Sequence, residues 1–271
     1  MYVSVDGARL WFDIEGAVLP ERPTVVLLHG GPGSFDHSYF KPHFSRLAET
    51  AEVVYLDLPG HGRSDWGDPN AWSFEACADA VRGFCEALGL RQPVLYGHSL
   101  GGMVAMLYGA RHPGHARMLL LVSTAGRFDV QRLVEGFRRA GGDGVAEIAS
   151  RAYFGEPVTD EEWARCCDLF GPNVPDTETR ARLVVNEELN ELWSGRLGEF
   201  DVLDRLGAIQ SPTLVWVGEL DPVTPVAAAE ELAAAVPRAR LEVLSGAGHW
   251  PWLDTPERHW ELLVDVLAEA S

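Results

Sequence analysis

The chain is short of positive charge. Of its 271 residues, Lys and Arg total 22 against 40 Asp and Glu, Lys41 is the sole lysine, and the formal net charge is −18. A surface of that sign repels phosphate backbones and anionic headgroups, which excludes nucleic acid and membrane surfaces as partners. Long apolar runs are absent as well, and no stretch approaches the ~20 residues that cross a bilayer. The N-terminal MYVSVDGARLWFDIEG alternates apolar and polar residues, with no basic segment leading into an apolar run, so no secretory leader is expected. Cysteine is sparse: Cys77, Cys85, Cys166 and Cys167 show neither C-x-x-C nor zinc-site spacing. They read as buried thiols of a cytoplasmic protein. There is no G-x-G-x-x-G and no P-loop, so no nucleotide cofactor is indicated. Oligomeric state leaves no trace in the sequence.

What is present is ordinary for a globular protein. Hydrophobic residues make up 46%, and the length suits one α/β domain carrying an insertion. Asp6-Gly7 between two alternating runs predicts a hairpin. Six short apolar runs follow: TVVLL (24–28), EVVYLD (52–57), PVLYG (93–97), RMLLLVS (117–123), PTLVWVG (212–218) and RLEVLS (240–245). Continuous runs of this length suit strands of a parallel sheet covered on both faces. Helical patterns alternate with them. Ser73 starts one that Gly89 stops, a second runs from about Leu100 to His112, and a third from Pro256 to Glu269 has Thr255 as its cap candidate. Residues 126–206 contain no convincing strand and read as four or five helices, TETRARLVVNEELNELW being one of them. The expected organisation is an α/β core over 1–125 and 207–271, with a helical cap over 126–206 closing one end of the sheet.

Residues 97–102 read GHSLGG between an apolar strand and a helix. A serine there could simply cap the helix. In strand–turn–helix context it reads as a nucleophile on a sharp elbow, with Gly97 and Gly101 leaving room for neighbouring backbone. A serine hydroxyl needs a base. His249, in a Gly-rich loop after the last apolar strand, is the candidate; His98 adjoins the serine and reads as structural. The acid that orients the base is expected at another strand end, where Asp221 is preferred and Glu219 is the alternative. The order Ser99, Asp221, His249 suits a hydrolase triad. Backbone amides of Leu100 and of Gly31, in the loop LLHGGPG, are the expected oxyanion donors. Trp250 is a candidate pocket residue, although aromatics are more often core.

HGGPG (29–33), DLPGHGRS (57–64), GHSLGG (97–102), GELDPVTP (218–225) and GAGHW (246–250) occur in that order. Together they resemble the α/β-hydrolase superfamily over nearly the whole chain, and HGGPG is most similar to its proline iminopeptidase-like branch. The resemblance implies a cis Gly31–Pro32 bond, two oxyanion donors, a helical cap, and an exopeptidase activity releasing an N-terminal residue, often proline. Two positions depart from that branch: Pro222 follows Asp221 where some members place an acid, and Leu100 follows the serine where a bulkier residue is usual. Glu187, Glu188 and Glu191 could hold a substrate amine, or simply form a solvated helix face. The expected activity is hydrolysis of a small ester, thioester or lactone through an acyl-enzyme, with no metal or organic cofactor. The alternatives are aminopeptidase activity, acyl transfer to another acceptor, and a catalytically silent ligand-binding protein. Epoxide and haloalkane hydrolases are set aside, because they use aspartate where Ser99 stands.

Overall fold

The computed structural model describes residues 1–17 and 22–269. Their strands are β1 (Tyr2–Val5), β2 (Ala8–Glu15), β3 (Thr24–Leu28), β4 (Glu52–Leu56), β5 (Val94–His98), β6 (Met118–Val122), β7 (Thr213–Gly218) and β8 (Ala239–Leu244). They form one sheet in the order β1-β2-β4-β3-β5-β6-β7-β8. The hairpin pairs Val5 with Ala8, and β2 runs antiparallel to β4; every pairing from β4 through β8 is parallel. The central strands β4, β5 and β6 are buried along their whole length, as continuous apolar runs require. Burying each Val or Leu there stabilises the fold by about 1.5–3 kcal/mol relative to exposure.

The core helices are α1 (Phe74–Ala87) and α2 (Leu100–Arg111), then α8 (Val226–Ala235), α9 (Pro251–Asp254) and α10 (Pro256–Glu269), with α3 to α7 in between. Ser73 caps α1, accepting from the Ala76 N–H. Cys77 and Cys85 lie on its buried face, and all four cysteines are free. Helix α2 lies on β5 and β6, α8 on β7 and β8. Thr255 does not cap α10 through its side chain; its hydroxyl donates back to the Pro251 carbonyl.

Between β6 and β7 come α3 (Val130–Gly141), α4 (Asp143–Tyr153), α5 (Asp160–Cys167), α6 (Thr177–Arg182) and α7 (Glu187–Ser194). Thr159 and Glu162 close a capping box on α5. The single helix expected over 177–193 is two helices. Residues 183–186 are extended because tertiary bonds outweigh helical ones: Val184 N–H donates to Asp36 at 2.9 Å and Asn186 N–H to the Gly33 carbonyl at 2.9 Å. Asn186 then caps α7. The ends of this helical stretch meet in a narrow stalk. Phe128 N–H donates to the Phe200 carbonyl and Val202 N–H to the Gly126 carbonyl, each at 2.9 Å. Arg127 within the stalk pairs with Asp201 and Glu231.

Candidate active site

The loops that leave β3, β5, β7 and β8 carry HGGPG, Ser99, Asp221 and His249, and parallel pairing brings these carboxyl ends to one edge of the sheet. Ser99 has φ 53° and ψ −119°, and its side chain makes no cap bond to α2. Helix capping therefore does not explain this serine. A left-handed non-glycine residue stores roughly 1–3 kcal/mol and persists only where surroundings impose it. Here they do. Ser99 N–H donates to the Val122 carbonyl at 2.9 Å, and its own carbonyl accepts Gly102 N–H at 2.9 Å and the Thr124 hydroxyl at 2.7 Å. A Cβ on Gly101 would sit 2.1 Å from the Leu28 carbonyl oxygen, and one on Gly97 2.4 Å from that of Gly101. Gly101→Ala is expected to destabilise the fold by about 1–3 kcal/mol or more, measurable as a lower denaturation midpoint.

Asp221 and His249 are 3% and 4% exposed. His249 Nδ1 lies 2.9 Å from Asp221 Oδ2. Asp221 also accepts from the Thr224 hydroxyl (2.8 Å) and from the N–H groups of Val223 (2.8 Å) and Thr224 (2.9 Å). Donors surround this carboxylate, and its Oδ2 accepts from the imidazole, so His249 presents Nδ1–H to it and leaves Nε2 turned away from Asp221. Glu219, the alternative acid, is exposed and faces elsewhere. It accepts from the Ser245 hydroxyl (2.7 Å) and Gly246 N–H (3.2 Å), and these bonds hold its carboxyl below the usual range.

The amides of Gly31 and Leu100 have no hydrogen-bond acceptor among the described residues, and both residues line the same cavity as Ser99 and His249. The Gly31–Pro32 bond is cis, as the resemblance implies. Gly30 is held against the serine: its N–H donates to the Tyr39 hydroxyl (2.7 Å), Tyr39 bonds His98 Nδ1 (2.8 Å), and His98 Nε2 meets the His249 carbonyl (2.8 Å). Only one assignment satisfies this chain, a neutral His98 donating from Nε2. Burial also pushes its pKa well below the ordinary histidine value. His98 is thus a structural bridge between the Gly30 loop and the loop that carries His249.

DLPGHGRS is bonded to the segment that follows HGGPG. His37 Nδ1 bonds Asp57 at 2.6 Å, Asp57 Oδ2 accepts Arg63 N–H at 2.9 Å, and Arg63 reaches Asp36 at 3.0 Å. Burial pushes the Asp57 carboxyl up, yet the His37 bond and charge prevail and hold it below the usual range.

The cavity measures about 670 Å³. Its aromatic wall includes Phe35, Tyr153, Trp163, Phe170 and the buried Trp250. Glu191 on α7 borders it, as do Glu156 and Asp160, the first residue of α5; no Lys or Arg does so among the described residues. Glu187 and Glu188 are exposed and lie outside the lining. Phe170 escaped the sequence reading. It stacks on Trp250 at 5.2 Å and meets the His249 ring edge-on at 5.6 Å; only the run of aromatics around it hinted at a wall.

The family model for the alpha/beta hydrolase fold matches residues 23–256. A proline iminopeptidase of Lactobacillus delbrueckii subsp. lactis is 28% identical over 269 residues, covering 91% of this chain and 90% of the relative. Among solved structures, VinJ superposes with a TM-score of 0.86 at 26% identity, covering 100% of this chain and 98% of the other. Est816, described as an N-acyl homoserine lactone degrading enzyme, gives 0.74 at 27% identity, with 98% and 99% covered. Sheet order, cavity and family match agree: this chain belongs to the α/β-hydrolase family and is a hydrolase.

Proposed function

We propose that the chain is a serine hydrolase that works through an acyl-enzyme on Ser99. The observation that carries this reading is the buried Asp221–His249 pair, whose imidazole shares one cavity with a serine on a left-handed elbow. Ser99 Oγ attacks the substrate carbonyl while His249 Nε2 takes its proton. The new oxyanion sits between the Gly31 and Leu100 amides, and the positive end of α2 adds to them. His249 returns the proton to the leaving group. It then activates water, which attacks the acyl-enzyme and frees the acid and Ser99. Asp221 stabilises the imidazolium in both halves. No step calls for a metal or an organic cofactor. Residues 126–206 act as the cap that walls the cavity.

The substrate is a small carboxylic ester, thioester or lactone, and the aromatic wall with Trp250 suits its apolar part. One observation favours a second reading, an aminopeptidase acting on an N-terminal residue. Three carboxylates border the cavity and no Lys or Arg does among the described residues, and Glu191 can meet a substrate ammonium. The sequence similarity to a proline iminopeptidase supports the same direction. Glu187 and Glu188, outside the lining, have no part in it.

A short-chain p-nitrophenyl ester and a prolyl p-nitroanilide separate the two readings. Turnover of the ester is expected to exceed that of the amide, and Glu191→Gln to leave it unchanged. Amide turnover that rivals the ester, with KM raised about tenfold in Glu191→Gln, overturns this in favour of the aminopeptidase; tenfold corresponds to the loss of one charge-assisted bond.

A further inference from the structure

The loop that carries His249 is gripped by the segment that leaves α5. His249 N–H donates to the Phe170 carbonyl at 2.6 Å. The preceding amide, Gly248 N–H, donates to Asp254 Oδ2 at 2.7 Å. The other oxygen of that carboxylate accepts the Asn173 N–H at 2.7 Å and its Nδ2 at 3.2 Å. Asn173 Nδ2 also reaches the Leu253 carbonyl at 3.3 Å. Backbones touch where the two loops cross: a Cβ on Gly248 would lie 2.3 Å from Gly171 Cα, and one on Gly171 2.6 Å from Asp254 Oδ2. One half-buried side chain therefore ties the base loop on one side and the helical insertion on the other.

We infer that Asp254 is a positioning residue, which makes the placement of the base depend on residues 170–173 being seated. An ionised carboxylate is acceptor-only, which suits a site facing three N–H donors. Asparagine has the same shape but must turn its NH2 toward either Gly248 N–H or the Asn173 donors, so one loop is released. Phe170 and Cys167 line the cavity. A ligand that fills the cavity thus bears on the same segment that holds His249, and substrate packing and base alignment become one event. This inference rests on the serine-hydrolase reading.

The experiment measures kcat and KM on the p-nitrophenyl ester, and the rate and completeness of fluorophosphonate labelling. The proteins are wild type, Ser99→Ala, Asp254→Asn, Asn173→Ala and the double variant Asn173→Ala/Asp254→Asn. A base shifted by about 1 Å loses on the order of 100-fold, so Asp254→Asn is expected to lower kcat by about 10–100-fold. KM should rise by less than kcat falls, within about threefold, because Asp254 itself does not line the cavity. Labelling should slow by a similar factor yet run to completion. Asn173→Ala, an exposed change, should lower kcat in the same direction, and the double variant should be no slower than Asp254→Asn.

Four results overturn the inference: kcat of Asp254→Asn within about twofold of wild type; incomplete labelling of that variant at an unchanged rate, which marks lost folded protein; a silent Asn173→Ala; or additive losses in the double variant. If Asp254→Asn does not fold, Asn173→Ala decides alone. A wild type that neither labels nor depends on Ser99 sinks the hydrolase reading instead, whatever Asp254 does.

Discussion

Replacing Ser99 by alanine is expected to lower kcat by about 10⁴–10⁶-fold while the fold survives. The change removes one oxygen atom. The left-handed backbone at this position is imposed by the Val122 and Thr124 bonds and by the crossing glycines, all of which alanine keeps. The melting temperature should therefore move little. What goes is the only atom in the proposal that forms a covalent bond to substrate. Residual catalysis over water comes from the Gly31 and Leu100 amides and from binding. Steady-state turnover and fluorophosphonate labelling check this together. Undiminished turnover in the variant means another nucleophile works in the cavity. A wild type inert to both substrate and probe favours the ligand-binding alternative.

The second large effect belongs to Asp221. Asp221→Asn is expected to lower kcat by about 10⁴-fold, whereas Glu219→Gln should change it by less than about threefold. The two Asp221 oxygens together receive four donors: Val223 N–H, Thr224 N–H, the Thr224 hydroxyl and His249 Nδ1–H. An asparagine can keep its oxygen only on the side of the two backbone amides, since neither N–H can turn away. Its NH2 then faces His249, and the imidazole must accept at Nδ1 and carry its proton on Nε2. The nitrogen that should take the serine proton is already protonated. Glu219 holds only the exposed Ser245–Gly246 turn. The reverse ranking would assign the orienting role to Glu219. Kinetics of both variants on one ester give the answer.

The parts of this site that could be read from sequence are those whose chemistry is local. The elbow is legible because Gly97 and Gly101 leave space a side chain would fill within five residues of Ser99. The strands are legible because double-sided burial demands unbroken apolar runs. The Asp221–His249 contact follows from the positions of both residues just past strand ends. What was not legible depends on partners far along the chain. The Tyr39–His98 bond spans 59 residues and the Asn173–Asp254 bond 81. The break at 183–186 follows from Asp36 and Gly33, which helix propensity does not see. The three glutamates of α7 look equivalent by composition. Of α7, Asn190, Glu191 and Ser194 border the cavity, which separates Glu191 from Glu187 and Glu188.

The stalk at 126–128 and 200–202 has a consequence for how such a chain can diverge. Because its two sides are bonded to each other, the sheet experiences everything beyond them as a closed loop with fixed ends. Loop-closure entropy grows only with the logarithm of length, about 0.6 kcal/mol per doubling. Lengthening, shortening or exchanging the helices therefore leaves β6 and β7 nearly indifferent. Recognition can drift quickly above a core that stays fixed, provided any replacement still brings amides to Asp254, Asp36 and the Gly33 carbonyl and a carbonyl to the His249 N–H.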